Sequence, residues 1–273
     1  MKTILIFGIL IFLPPQLFAG DKFLTEQLKI PAKDGPHIYS LDSVLIKAKK
    51  GADNLIIFVH GAPMTAQAAK SFNLESLLPI AKTFSDMEYS VVIFQRRGFG
   101  KSVEPYAEDT GPCDDKDYEK SIRATNRDLE AVTSYFGSRS DVKGIALVGH
   151  SAGGFCAIHA VRNPTLKIKG VVSFSGVRGS DGRGNVCDLK DLKESYTVTG
   201  KISRIPELWI FSKNDHVFSP NLGRTLWQTF ISNGGNAQFW IAPPFEDEGH
   251  DLISPDGATL WKKRVSEFLQ SIF

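Results

Sequence analysis

The 273-residue chain predicts an α/β fold: a mostly parallel central sheet of about eight strands, helices on both faces and no large lid domain. Three observations lead there. Six short apolar runs are continuous rather than alternating, as strands buried on both sides are. The gaps between them can each hold a crossover helix. Two upstream segments alternate instead, as strands with one solvated face do. Composition agrees, because 42% hydrophobic and 11% aromatic residues fill one sizeable core and do not fit a disordered or collagen-like chain. A net charge of +2 gives no large single-sign field. A protein that must neutralise many duplex phosphates therefore does not fit, and no nucleic-acid partner is expected.

Taken in order, the first element is a leader. Lys2 precedes the apolar run Ile4 to Leu13, Pro14-Pro15 stops it, and small residues follow at Ala19-Gly20. This is a signal-peptide layout over residues 1–19. Leu17 is larger than the usual small residue two positions before such a cut, so an uncleaved anchor is the alternative. The run is shorter than the roughly 20 residues that span a bilayer as a helix. The expectation is an exported protein, periplasmic or secreted, with no stable membrane insertion after leader removal and a single domain over residues 20–273.

Phe23–Ile30 and His37–Ala48 flank a Pro31-to-Pro36 connection and read as an antiparallel hairpin at a sheet edge. The buried strands are Ile56–Val59, Val91–Phe94, Ile145–Val148, Val171–Phe174, Leu208–Phe211 and Phe239–Ala242. Ile122, Leu129, Val132 and Phe136 share one face of a helix from about Tyr118 to Phe136, and Trp261, Val265, Phe268 and Ile272 do so in the last helix. Ser219-Pro220 and Ser254-Pro255 each look like an N-cap followed by proline at the first helical position. Cys113 and Cys187 lie in loop-like stretches and Cys156 among apolar residues. A Cys113–Cys187 disulfide with Cys156 buried and reduced suits an oxidising compartment, whereas three free thiols would suit a reducing one. No cysteine spacing resembles a zinc site, and neither metal nor cofactor is expected.

In open α/β sheets the site lies beyond the carboxyl ends of the strands, and four of the six runs end in suggestive residues. Gly149-His150-Ser151-Ala152-Gly153-Gly154 follows the third run. A serine on a sharp strand-to-helix turn between glycines projects its hydroxyl into a site, which makes Ser151 the candidate nucleophile. A serine hydroxyl needs a neutral imidazole to take its proton, and His250, between the last strand and the last helix, is the histidine whose loop can reach that edge. The imidazole needs a carboxylate to set its tautomer. Asp215 sits at a strand end and leads, although an Asx turn ahead of Ser219-Pro220 explains it as well; Asp247 and Asp251 read as solvated. His60-Gly61-Ala62-Pro63-Met64 follows the first buried run, and the backbone N–H groups of Ala62 and Ala152 are the candidate oxyanion donors.

These residues together resemble the α/β-hydrolase superfamily, whose members carry serine, acid and histidine in this chain order on successive strand ends. Within it the chain is most similar to the dienelactone-hydrolase-like serine esterases, through Gly149 to Gly154, Arg162-Asn163-Pro164, the Cys187 loop, Pro243-Pro244-Phe245 and Gly249-His250-Asp251-Leu252. The resemblance implies the set Ser151, Asp215 and His250 and a small-molecule ester substrate. Two departures narrow it. Enzymes acting on dienelactone itself usually carry a cysteine nucleophile, and here the position is Ser151. Gln95 replaces the acid in the turn Gln95-Arg96-Arg97-Gly98-Phe99-Gly100-Lys101-Ser102, which reads as scaffold. Residues expected around the substrate pocket are Met64, Phe99, His150, Arg178, Phe218 and Phe245. The insertion from Val177 to Pro206 is too polar and short for a large hydrophobic lid, which disfavours interfacial lipid hydrolysis. The expected activity is hydrolysis of small to medium carboxylic esters through an acyl-enzyme. A serine peptidase or amidase, an acyltransferase and a noncatalytic binding protein are the other readings of the same scaffold.

Overall fold

The computed structural model describes residues 24–48, 54–63, 65–182 and 184–273; the expected leader, residues 1–19, and Met64 lie outside the described residues. Eight strands form one sheet: β1 (Thr25–Asp34), β2 (His37–Ile46), β3 (Asn54–Val59), β4 (Ser90–Phe94), β5 (Gly144–His150), β6 (Gly170–Phe174), β7 (Glu207–Ser212) and β8 (Ala237–Ala242). Their spatial order is β1-β2-β4-β3-β5-β6-β7-β8. β2 runs antiparallel to β1 and to β4, and every other pairing is parallel. The helices are α1 (Ala66–Ala69), α2 (Leu78–Ser85), α3 (Tyr118–Gly137), α4 (Ala152–Ala160), α5 (Leu189–Ile202), α6 (Pro220–Ser232) and α7 (Ala258–Ile272). None of the described helices is long and apolar enough to cross a membrane.

The continuous apolar runs divide by the two-residue period of a strand. Leu55, Ile57 and Val59 of β3 and Trp209 and Phe211 of β7 pack under α3, α4, α5 and α6. Ile56 and Phe58, with Leu208 and Ile210, pack on the other face under α2 and α7. Each of these fully buried side chains contributes about 1.5–3 kcal/mol of transfer free energy, so the pattern itself holds both helical layers to the sheet. Ile122, Leu129, Val132 and Phe136 are all buried on α3, the face that periodicity marks, and Asp117 caps that helix by accepting from Lys120 N. α5 occupies the Val177–Pro206 insertion as an ordinary crossover helix, burying Leu192 and Tyr196, and no large lid domain interrupts the described residues.

Three local expectations need correcting. β1 continues through Pro31 to Asp34 and pairs to the end of β2, so the connection shrinks to Gly35-Pro36, with Gly35 at φ 58°. Pro31 is tolerated because β1 is the sheet edge, where a missing N–H breaks no ladder. β8 is the opposite edge and stays half-exposed along most of its length, unlike the doubly buried strand its sequence suggests. Ser219 does cap α6, but Ser254-Pro255 opens a turn of Gly257 N–Ser254 O and Ala258 N–Pro255 O bonds, and α7 itself begins at Ala258 behind Gly257.

Candidate active site

Because β3, β5, β6, β7 and β8 are parallel, the segments that follow them emerge at one edge of the sheet. Ser151 stands between β5 and α4 at φ 55°, a left-handed conformation that a serine adopts only where its surroundings enforce it. The glycines around it supply the enforcement. A Cβ on Gly153 would lie 2.0 Å from the Val59 carbonyl oxygen, and one on Gly149 would lie 2.4 Å from that of Gly153. The buried helix α4 therefore abuts β3, and the turn between β5 and α4 has no room to relax.

The turn after β7 presents Asp215. Its Oδ1 accepts from Val217 N at 3.0 Å and Phe218 N at 2.8 Å, which is the Asx turn the sequence allows. Its Oδ2 remains for His250 Nδ1 at 3.1 Å and for Ser175 Oγ at 2.6 Å. One carboxylate thus holds the Asx turn with one oxygen and bonds to His250 with the other. Burial alone would raise this carboxyl, but hydrogen bonds from His250, Phe218 N and Ser175 hold it below its ordinary value. Donation from Nδ1 leaves His250 Nε2 as the ring's free acceptor. The histidine backbone is anchored twice, by its own N–H to Glu248 Oε1 at 2.9 Å and by His150 Nε2 donating to its carbonyl at 2.9 Å.

Ser151, Asp215, His250, Ala62 and Ala152 all line one cavity of about 1070 Å³. Gly61 brings the loop after β3 close to the serine, since a Cβ there would sit 3.4 Å from Ser151 Cβ. Beneath that loop His60 is buried between Phe72 and Phe99; its Nδ1 lies 2.7 Å from the Gly61 carbonyl and its own carbonyl accepts from Arg96. Burial and then the Arg96 charge keep the His60 ring neutral, well below the usual histidine range. Among the described residues no hydrogen bond joins Ser151 to His250, and no group of three or more His, Cys, Asp or Glu is placed to hold a metal.

The expected pocket residues divide. Phe218 lines the cavity with its ring centre 5.6 Å from that of His250. Arg178 lines it too, but its guanidinium is committed to Glu108 Oε2 at 2.8 Å and Tyr106 OH at 2.7 Å. Phe99 does not reach the cavity: it is fully buried against His60, Phe72 and Tyr106, because Gly98 and Gly100, both at positive φ, fold its turn back on the sheet. Phe245 packs into the core under α2 and α7 instead. His150 is half-buried behind His250, supporting it rather than lining the cavity. The turn after Gln95 is scaffold as expected, with Arg96 paired to Glu108 at 2.6 Å.

Cys113 and Cys187 form a disulfide, and Cys156 is free and buried. Cys113 lies between the cavity-lining residues Gly111 and Lys116, and Cys187 follows the lining residue Gly184, so the bond ties the two lining loops together. Tyr118 OH, at 2.5 Å, and Cys187 N–H tie the same loop to α3 and to Gly179. Closing a loop of 74 residues restricts the unfolded chain, so replacing both cysteines with serine is expected to cost about 2–4 kcal/mol. Urea unfolding measures it; an unchanged midpoint in the double variant contradicts the expectation.

Ser175, Glu248, Tyr106 and Glu108 are site residues that the sequence reading passed over. Ser175 carried a signal, since Ser175-Gly176 ends β6 as Ser151 ends β5; the others are loop residues whose partners lie far along the chain.

Residues 54–185 match the family model described as the alpha/beta hydrolase fold. No curated protein sequence matches the chain. Among solved structures, an esterase from Pyrococcus furiosus superposes with a TM-score of 0.66 at 19% identity, covering 92% of each chain. A Klebsiella pneumoniae protein assigned as a dienelactone hydrolase gives 0.62 at 13% identity, covering 92% of this chain and 100% of its own. An acylaminoacyl peptidase from Pyrococcus horikoshii gives 0.62 at 15% identity, covering 92% of this chain and 42% of its own. The sheet order, the strained serine turn and these likenesses agree that the chain has the α/β-hydrolase fold.

Proposed function

We propose that this protein is a serine hydrolase that cleaves small to medium carboxylic esters through Ser151, His250 and Asp215. The observation that carries the reading is the convergence of Ser151 and the His250–Asp215 pair in one cavity beside Ala62 and Ala152. In the first half-reaction Ser151 Oγ bonds to the ester carbonyl carbon while its proton passes to His250 Nε2. The backbone N–H groups of Ala62 and Ala152 receive the oxyanion, and as the intermediate collapses the alcohol leaves with the proton from His250. Water repeats the sequence on the acyl-enzyme, releasing the acid and restoring Ser151. The Ser151–His250 hydrogen bond must form when substrate enters, since such bonds are commonly long or misaligned without it.

The reaction needs His250 neutral, so activity is expected to fall on the acid side of the pH profile. His150 adds no step of its own: burial and then the adjacent His250 push its ring down to about 3. The direct test is a fluorophosphonate probe followed by a series of esters and matching amides. One equivalent of label on Ser151, with loss of ester turnover, is the expected result; amides cleaved faster than esters would move the reading to a peptidase, and an excess of alcohol product over acid to an acyltransferase. Residues 1–19 as an export leader, with residues 20–273 as one catalytic domain, complete the proposal, and the Cys113–Cys187 bond supports export because such bonds persist in oxidising compartments.

A further inference from the structure

The chain leaves β6 through Ser175, a buried serine at φ 48°. A glycine adopts that conformation freely and a residue with a Cβ does not. The turn holds it there from both sides. Ser175 N donates to Ile210 O of β7 at 2.8 Å, and Val177 N returns to the Ser175 carbonyl at 2.7 Å. Gly176 cannot give way, since a Cβ on it would meet Ser173 Oγ at 1.9 Å.

What the strained backbone achieves is visible at the side chain. Ser175 Oγ donates to Asp215 Oδ2 at 2.6 Å, the oxygen that His250 Nδ1 reaches at 3.1 Å. Oδ1 is already taken by two backbone N–H groups, so Ser175 and His250 together complete the carboxylate's set of donors. The residue just before it, Phe174, accepts from Ser151 N at 2.9 Å. One short turn therefore touches the nucleophile's backbone on one side and the acid's oxygen on the other, and a glycine in its place would keep the turn but lose the hydroxyl.

We infer that Ser175 is a positioning residue, which orients Asp215 and through it His250; the inference rests on the ester-hydrolase reading given above. Its hydroxyl draws charge at Oδ2 and fixes the face that the carboxylate offers the imidazole. Without it, Oδ2 holds more charge, the protonated ring is favoured, and turnover requires a higher pH.

Ser175→Gly and Ser175→Ala test this in the full chain. Both are expected to lower kcat roughly 10- to 100-fold, the scale of one hydrogen bond to a charged group, with KM little changed. The acid limb of the kcat/KM profile is expected to move up by about half a pH unit. The titratable and charged groups facing His250 are Asp215, His150, Glu248 and, through Glu248, His216, and neither substitution alters them. Wild-type kcat with an unmoved acid limb in Ser175→Gly overturns the inference and leaves Ser175 a backbone role alone. Should the Cβ of Ser175→Ala prevent folding, Ser175→Gly, for which a left-handed backbone is free, carries the test. In the unaltered protein the Ser175 hydroxyl proton is expected as a resonance protected from solvent exchange, and its absence overturns the inference whatever the variants do. Turnover that survives Ser151→Ala defeats the ester-hydrolase reading itself; an inactive Ser151→Ala beside a fully active Ser175→Gly defeats only the role of Ser175.

Discussion

Ser151→Ala is expected to lower ester turnover by roughly 10⁶-fold while the protein remains folded. The size follows from the chemistry: with Oγ gone no acyl-enzyme forms, and His250 is left with nothing to deprotonate but water. The fold should tolerate the change because Ser151 makes no side-chain cap bond to α4. Its backbone N–H to Phe174 O and carbonyl to Phe155 N do the holding, and alanine keeps both. Residual activity above the uncatalysed rate would come from the oxyanion donors and from substrate binding. Steady-state kinetics with circular dichroism of the variant checks both halves. Turnover within tenfold of the parent protein would remove Ser151 from the mechanism.

Asp215→Asn is expected to cost about 10⁴-fold in kcat, and here the geometry predicts how. An asparagine has one acceptor oxygen where the carboxylate has two. Val217 N and Phe218 N, at 3.0 and 2.8 Å, claim that oxygen at the Oδ1 position. The amide nitrogen is then left facing His250 Nδ1, and two donors cannot bond. The imidazole must turn Nδ1 into an acceptor, which puts its proton on Nε2 and removes the base that Ser151 needs. A factor of 10⁴ corresponds to about 5.4 kcal/mol of transition-state stabilisation. Binding should be little affected, so a loss confined to KM would contradict the tautomer argument, as would a drop of less than tenfold. The carboxylate's folded-state value lies below its ordinary one, so its contribution to stability is complete above the unfolded value of about 3.9 and is lost as pH falls through the lowered one. The variant should therefore lose that acid-side dependence along with activity.

The parts of this molecule that could be read in advance are those governed by neighbours in sequence. Continuous apolar runs mark β3 to β7 as strands buried on both sides, and the spacing of Ile122, Leu129, Val132 and Phe136 marks the buried face of α3, because strand and helix periods act over a few residues. Gly149 to Gly154 could be recognised as a strained turn since the crowding it answers is local to the strand end and helix start it joins. Turn boundaries were less legible. Pro31 looks like a break until the sheet order shows that it lies on an edge, and Phe239 to Ala242 looks doubly buried until β8 proves to be the other edge.

Fold class, the serine turn, the loop cysteines that pair and the chain order of Ser151, Asp215 and His250 are legible along the chain. Which groups surround them depends on how the elements pack. Phe99 and Phe245 turned into the core while Tyr106 and Glu108 came to the cavity, and Ser175 reached Asp215 across 40 positions. The physical reason is that backbone periodicity and steric crowding are short-range and leave their mark residue by residue. A hydrogen bond between strand ends depends on which strands lie side by side, and here that adjacency was set by the packing of two helical layers against one sheet.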